Sequence, residues 1–244
     1  MHIHEPRHEM NRRLFVTTVG AAGAGLWIPV LAAEQQRGDG GGQPKREEPE
    51  EDVTPAEDLM REHGVLKRVL LVYGEAIRRI DAKQDLPPES VREGASIIRT
   101  FIEDYHEKLE EDYLFPRFEK AGQLSDLTKV LRGQHQAGRR VTDQITQLAT
   151  AQTLKQPESA AKLREFMRQF VRMYEPHEAR EDTVLFPALR KIVSRQEYGA
   201  LGEDFEKKEH ELFGEDGFDK MVDRVAGIEK ILGIYDLAQF TPKV

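Results

Sequence analysis

The chain has 244 residues, of which 33% are charged and only 7% aromatic, a balance that favours a helical bundle over a β-sandwich. It contains no cysteine, which excludes a disulfide framework, a cysteine-ligated zinc or iron–sulfur site and covalent c-type haem. The formal net charge is −8, and without a long basic run this argues against nucleic acid as a partner.

The first 33 residues have the pattern of an export signal. Residues 11–16 (NRRLFV) resemble the twin-arginine motif, and a weakly apolar stretch follows and ends at Ala32-Ala33. Because this stretch is rich in Gly and Ala, it favours a cleaved signal peptide over 1–33 rather than a retained transmembrane anchor. The predicted location is therefore the periplasm or another exported compartment, with no membrane contact after cleavage.

Residues 34–54 are rich in Gly, Gln, Pro and Glu and lack apolar periodicity, so they are predicted to form a disordered linker. From Pro55 onwards, apolar residues recur at helical spacing. Four long helices are predicted. The first covers about 55–81, the second follows a turn at 85–88 and runs to about 121, and the third and fourth cover about 124–150 and 158–193, with Gly122 as a C-cap of the second. Shorter helices are expected over about 195–213 and 218–232. We therefore predict an all-α protein, with an up-down-up-down four-helix bundle over 55–213 and one or two extra helices, and with a C-terminal helix and tail over 214–244.

Three prolines lie within the predicted long helices. Pro116 and Pro187 each follow a Leu-Phe pair, and Pro176 lies inside the fourth helix. Each proline removes a backbone donor, so each is expected to kink its helix.

Cleavage after residue 33 leaves five of the eight histidines, and four of these fall one to a helix, each on the apolar stripe. They are His63, His106, His135 and His177. Glu110 and Glu181 follow the second and fourth of these by four residues, which places each pair on one helical face. A buried carboxylate without a counter-charge is costly, so Glu110 and Glu181 fit the core only if a cation meets them.

An internal repeat surrounds two of these histidines. Residues 106–116 (HEKLEEDYLFP) align without gaps to residues 177–187 (HEAREDTVLFP), and His63 and His135 precede the two copies by 43 and 42 residues. The first helix pair therefore looks like a degenerate copy of the second, related to it by a pseudo-twofold axis. Two such hairpins are expected to place two metal ions at the axis, and nitrogen and oxygen ligands with open positions suit iron or manganese.

This spacing resembles the hemerythrin or HHE cation-binding family over roughly residues 55–213. The resemblance implies a helical bundle that holds two iron ions with five histidines and two bridging carboxylates, one iron keeping a position for dioxygen. Carried over, it implies as metal ligands His63 on the first helix, His106 and Glu110 on the second, His135 on the third, and His177 with a following carboxylate on the fourth.

The chain departs from the family pattern at two positions. The family has a second third-helix histidine where this chain has Arg139, which is expected to extend outward, as is Lys67. The family's fourth-helix carboxylate, at i+5 from the histidine, corresponds to Asp182. We favour Glu181 as the ligand, since i+4 shares the face of His177 while i+5 lies ~140° away, and we assign Asp182 a supporting role.

His210 lies in the first additional helix. If that helix folds back over the bundle, His210 supplies the absent fifth nitrogen; the alternative is a solvated position in the polar run 206–211. Glu107 and Glu178 are assigned to solvated faces or to supporting positions.

The predicted function is that of a non-haem di-iron protein that binds dioxygen, nitric oxide or peroxide for storage, sensing or scavenging. A ligand set rich in imidazole and poor in carboxylate favours binding of oxygen over its activation. The alternative is a ferritin-like di-iron enzyme that decomposes peroxide or oxidises iron, although within residues 34–244 only Glu103–His106 has the Glu-x-x-His spacing of such sites. A purely structural acidic bundle is the third possibility, and it leaves the inward glutamates unexplained.

Overall fold

The computed structural model describes residues 53–243, and these residues form seven helices joined by short connections, without a β-strand. The predicted signal peptide and all but two residues of the predicted linker lie outside the described residues. The regular α-helices are α1 (Pro55–Asp81), α3 (Ser125–Leu148), α4 (Ala151–Lys155), α6 (Arg195–Phe213) and α7 (Gly217–Leu232), and a 3₁₀ turn follows at Leu237–Phe240.

The second and fifth helices alternate between α- and π-helical hydrogen bonding. Helix α2 covers 88–121, with α-helical segments Pro88–Ile97, Glu107–Leu109 and Phe115–Ala121 and π-helical segments Ile98–His106 and Glu110–Leu114. Helix α5 covers 157–192, with α-helical segments Pro157–Arg180 and Phe186–Ile192 on either side of the π-helical segment Glu181–Leu185.

A π-helical segment ends at the leucine of each of the two repeated Leu-Phe-Pro sequences. Pro116 and Pro187 stand in the first turn of the α-helical segment that follows it, where the missing N–H is tolerated. The helix therefore accommodates these prolines through a change of hydrogen-bonding pattern. Pro176 lies within the α-helical segment Pro157–Arg180, and the α-helical pattern gives way only at Glu181.

The four long helices form a closed ring in which α1 packs on α2, α2 on α3, α3 on α5 and α5 on α1. Their shared core contains buried aromatic rings as well as aliphatic side chains, among them Tyr73, Phe101, Phe115, Phe170 and Phe186. Gly122 ends α2 in the left-handed conformation at φ 62°, as its C-cap position predicts. The all-α bundle predicted from the sequence is confirmed.

The two C-terminal helices pack on one side of this ring. Helix α7 lies against α1 and the first segment of α2, and α6 contacts α1 and α7. Arg68 on α1 fixes α7 through two charge-assisted hydrogen bonds to Glu229, at 2.9 and 2.6 Å. None of the described helices combines the length and the apolar content that a membrane crossing needs.

Two glycines of α3 provide a test of the packing. A Cβ at Gly138 would lie 2.1 Å from Tyr174 Oη, whereas a Cβ at Gly133 would meet no atom within 4 Å. We expect Gly138→Ala to lower the free energy of unfolding by about 1–3 kcal/mol through overpacking. Gly133→Ala is expected to raise it by about 0.5–1 kcal/mol through helix propensity. Urea denaturation of both variants measures the difference, and equal effects would contradict the close packing of α3 on α5.

Candidate metal centre

Six side chains from the four long helices meet in the core of the bundle. They form two groups, each with ligand atoms within 4.8 Å of one another. Site 1 consists of His63, His106 and Glu110, and site 2 of His135, His177 and Glu181. All six residues are at most 4% exposed. The structure therefore brings together six of the seven residues that the sequence singled out.

The two glutamates lie between the two histidine pairs. Glu110 Oε2 is 3.8 Å from His106 Nε2 and 3.4 Å from His135 Nε2. Glu181 Oε2 is 3.5 Å from His63 Nε2 and 3.1 Å from His177 Nε2. Because each carboxylate reaches one histidine of either pair, both are placed to bridge two ions.

The opposite ring nitrogen of every histidine is held by a polar side chain of a neighbouring helix. The Nδ1 atoms lie 2.7–3.1 Å from the partner oxygens: His63 to Asp182, His106 to Glu62, His135 to Glu111, and His177 to Gln134. A carboxylate or an amide oxygen only accepts hydrogen bonds, so each Nδ1–H donates to it. A neutral ring in this orientation presents the lone pair of Nε2 to the centre, as metal-ligating histidines do.

These contacts follow the pseudo-twofold axis predicted from the internal repeat. Exchange of α1 with α3 and of α2 with α5 maps Glu62 onto Gln134 and Asp182 onto Glu111. The repeated phenylalanines obey the same symmetry. Phe186 stacks on His63 with ring centroids 5.5 Å apart, and Phe115 stacks on His135 at 5.6 Å. The Leu-Phe-Pro repeat thus places an aromatic ring against one histidine of each site.

Two charge pairs, also related by this symmetry, lie about one helical turn from the histidines. Arg139 contacts Glu107 at 2.7 Å, and Lys67 contacts Glu178 at 2.5 Å. Arg139 was expected to extend outward, but it is only 21% exposed and bridges from α3 to α2. The two glutamates are buried and ion-paired, so the assignment to solvated faces is wrong, and the supporting position stays a prediction.

A π-helical segment begins at each of the two central glutamates, Glu110 on α2 and Glu181 on α5. A π turn holds more residues than an α turn, so the residue after the glutamate is rotated less far from the core than regular helical geometry implies. Glu181 therefore faces the centre while Asp182 reaches His63 on α1. The i+5 carboxylate supports a histidine, in agreement with its predicted role.

Several buried atoms at the centre accept no hydrogen bond within the described part of the chain. They are both carboxylate oxygens of Glu110, both of Glu181, and His106 Nε2. In addition, His135 Nε2 and His177 Nε2 face each other at 3.2 Å. Buried charges and opposed lone pairs are costly unless a cation lies among them. The donor set therefore fits a pair of metal ions.

The close packing of ionisable groups at the centre shifts the pKa values of Glu110, Glu181 and His106. Burial and the neighbouring Glu181 raise the pKa of Glu110 well above its usual value. Burial also opposes ionisation of Glu181, yet the adjacent His177 and His63 hold its pKa well below the usual value. Burial lowers the pKa of His106, and the nearby His63 lowers it further. In the metal-free protein, the pKa values of the two glutamates are therefore shifted in opposite directions, and the shift at His106 disfavours its charged form.

His210 does not join the centre. It is exposed on α6, while the preceding residue, Glu209, is buried and accepts a hydrogen bond from the Phe218 backbone N–H at 2.8 Å. Successive helical residues differ by ~100°, so packing of the Glu209 side against the bundle turns His210 to solvent. The expectation that His210 folds back over the bundle is not met.

The fold and the site define a metal-binding helical bundle protein. The model of the hemerythrin HHE cation-binding domain matches residues 54–161 and again residues 126–241. The chain belongs to this family.

The chain is also similar to curated proteins of mycobacteria. An uncharacterized protein of Mycobacterium bovis and uncharacterized proteins of two strains of Mycobacterium tuberculosis are each 55% identical to it over 199 residues, which cover 82% of this chain and 77% of each relative. No solved structure matches the chain.

Asp182 provides a test of the electrostatics in the metal-free protein. Burial lowers the pKa of His63, but its contacts with Asp182 and Glu181 outweigh burial and raise this pKa from 6.5 to about 9. Charged His63 therefore stabilises the fold fully below pH 6.5, and this stability is lost as the pH rises through 9. We expect Asp182→Asn to lower the His63 pKa, as measured by NMR titration of the imidazole protons. Asp204→Asn, on the exposed face of α6, is the control. Titration of His63 near 6.5 in the unsubstituted chain would contradict the account.

Proposed function

We propose that this protein holds two non-haem iron ions and binds dioxygen or a related small ligand, nitric oxide or peroxide. The observation that carries the proposal is the convergence of four imidazole Nε2 atoms on two buried glutamates whose oxygens accept no hydrogen bond within residues 53–243. Site 1 and site 2 would each take two imidazole nitrogens, and Glu110 and Glu181 would be shared. Mixed nitrogen and oxygen donors suit iron, with manganese as the alternative.

When bound, the iron pair supplies redox chemistry and open coordination positions for a small ligand. The chain's own residues prepare this centre. The four Nδ1–H hydrogen bonds fix the orientation of the rings, and Phe115 and Phe186 pack against two of them. The near-complete burial of the histidines and glutamates keeps bulk water out, so a small neutral ligand enters more easily than a large or charged one.

The position of Glu103 favours ligand binding over ferritin-like catalysis. Its spacing to His106 is that of a ferritin-like Glu-x-x-His motif. However, Glu103 accepts a hydrogen bond from Thr142 at 2.6 Å and pairs with Arg99 at 2.9 Å, away from the two sites. Four imidazoles and only two central carboxylates remain as candidate metal ligands. This balance is the one expected for a centre that binds dioxygen rather than activates it. Export by the twin-arginine route stays a prediction from the sequence.

The metal content of two histidine variants tests the ligand assignment. We expect two iron ions per chain in the unsubstituted protein and in His210→Ala, because His210 is exposed. His135→Ala removes a site 2 nitrogen and is expected to lower the content to about one. Elemental analysis after anaerobic loading gives the stoichiometry, and circular dichroism verifies that each variant is folded. Full iron content in folded His135→Ala would contradict the assignment.

Exposure to dioxygen separates binding from catalysis. The anaerobically reduced, iron-loaded protein is mixed with dioxygen, and its visible absorption is followed before and after the gas is removed under vacuum. A change in absorption that reverses under vacuum is expected for a binding protein. Irreversible oxidation with continuing peroxide consumption would instead support the enzymatic alternative.

A further inference from the structure

The pseudo-twofold axis relates the two sites, but the side chains that hold their histidines are not equivalent. In site 1, both Nδ1–H groups donate to carboxylates, His63 to Asp182 at 2.7 Å and His106 to Glu62 at 2.8 Å. In site 2, His135 donates to the carboxylate of Glu111 at 3.1 Å, whereas His177 donates to the neutral amide of Gln134 at 2.8 Å. Site 2 therefore has one carboxylate partner fewer.

The remaining carboxylate partner of site 2 is also shared with two cations. Glu111 contacts Arg139 at 2.9 Å and Lys108 at 2.5 Å, in addition to His135. Because Arg139 and Lys108 share the negative charge of Glu111, less of that charge acts on the imidazole of His135. The difference between the sites thus comes from both partners of site 2, the neutral amide and the compensated carboxylate.

A carboxylate that accepts the Nδ1–H of a ligating histidine increases the basicity of Nε2 and so strengthens the bond to the metal. A neutral amide fixes the ring equally well but increases its basicity less, because hydrogen bonds to charged acceptors are roughly twice as strong. Removal of such a partner typically weakens metal binding by about 10–100-fold. The two sites therefore differ in affinity even though their ligating residue types are the same.

We propose that site 1 binds its iron first and holds it tightly, that site 2 is the labile site, and that the Glu62/Gln134 pair contributes to this difference. The inference rests on the proposed two-iron function and adds an order of filling and release to it. Glu62 and Gln134 are positioning residues, since each acts through the histidine whose Nδ1–H it accepts. They immediately precede His63 and His135 at matching places in α1 and α3, so exchange of one side chain type for the other requires no change of backbone.

Iron release from the full protein tests the proposal. The protein is loaded anaerobically with two equivalents of Fe²⁺ and mixed with excess of a chromogenic Fe²⁺ chelator, and release is followed by absorbance. We expect two phases of equal amplitude with rates about tenfold or more apart.

Gln134→Glu is expected to slow the fast phase at least several-fold and leave the slow phase unchanged. Glu62→Gln is expected to accelerate the slow phase. Gln136→Glu, which adds the same charge at an exposed position on α3, is the control and is expected to change neither phase.

Damage to the fold would make iron release faster, so slower release from Gln134→Glu cannot be explained by such damage. The proposal is overturned if two Fe²⁺ leave the unsubstituted protein in a single phase, or if Gln134→Glu releases iron as fast as Gln136→Glu. In either case the two-iron function itself would stand, because both ions were bound. Failure of the unsubstituted protein to take up Fe²⁺ would instead refute the proposed function, and the order of filling with it.

Discussion

Within residues 53–243, no hydrogen bond reaches the carboxylates of Glu110 and Glu181, which lie among four imidazoles in the centre of the bundle. Water is excluded there, and an uncompensated carboxylate in such surroundings costs several kcal/mol even after relaxation. Glu110 and Glu181 are 0% exposed, so the bundle can keep both of them ionised inside only if positive charge is supplied from within. The neighbouring histidines provide part of it in the metal-free protein, and a pair of cations would provide it fully. The helices, the hydrogen bonds around the rings and the packed phenylalanines all hold the imidazoles next to these two carboxylates.

The pseudo-twofold axis explains how a chain with a short repeat builds such a centre. Each half supplies a pair of histidines and one glutamate, and each half also supports the histidines of the other. Asp182 of the second half holds His63, and Glu111 of the first half holds His135. Neither half is therefore complete alone, and metal binding is coupled to the docking of α1–α2 on α3–α5. Divergence between the halves, as at Glu62 and Gln134, then allows the two sites to differ while the ligands stay alike.

The fold and the six central residues were predictable because they depend on local spacing. A 3.6-residue apolar period defines the helices, and an i, i+4 separation places Glu110 on the face of His106. Of the residues that hold the rings, Asp182 was predicted, whereas Glu62, Glu111 and Gln134 were missed. Glu62 and Gln134 lie one position before a histidine, ~100° from the inward stripe, and they act on a neighbouring helix. An acid or amide directly before His63 and His135 was the available signal. The exposure of His210 could not be predicted from spacing, because it depends on which side of α6 packs against the bundle.

The most direct test of the central claim is anomalous diffraction at the iron edge from crystals of the iron-loaded protein. We expect two anomalous peaks about 3.5–4 Å apart, one among the ligand atoms of His63, His106 and Glu110 and the other among those of His135, His177 and Glu181. An absence of peaks between the two histidine pairs, or iron bound only at the protein surface, would contradict the account.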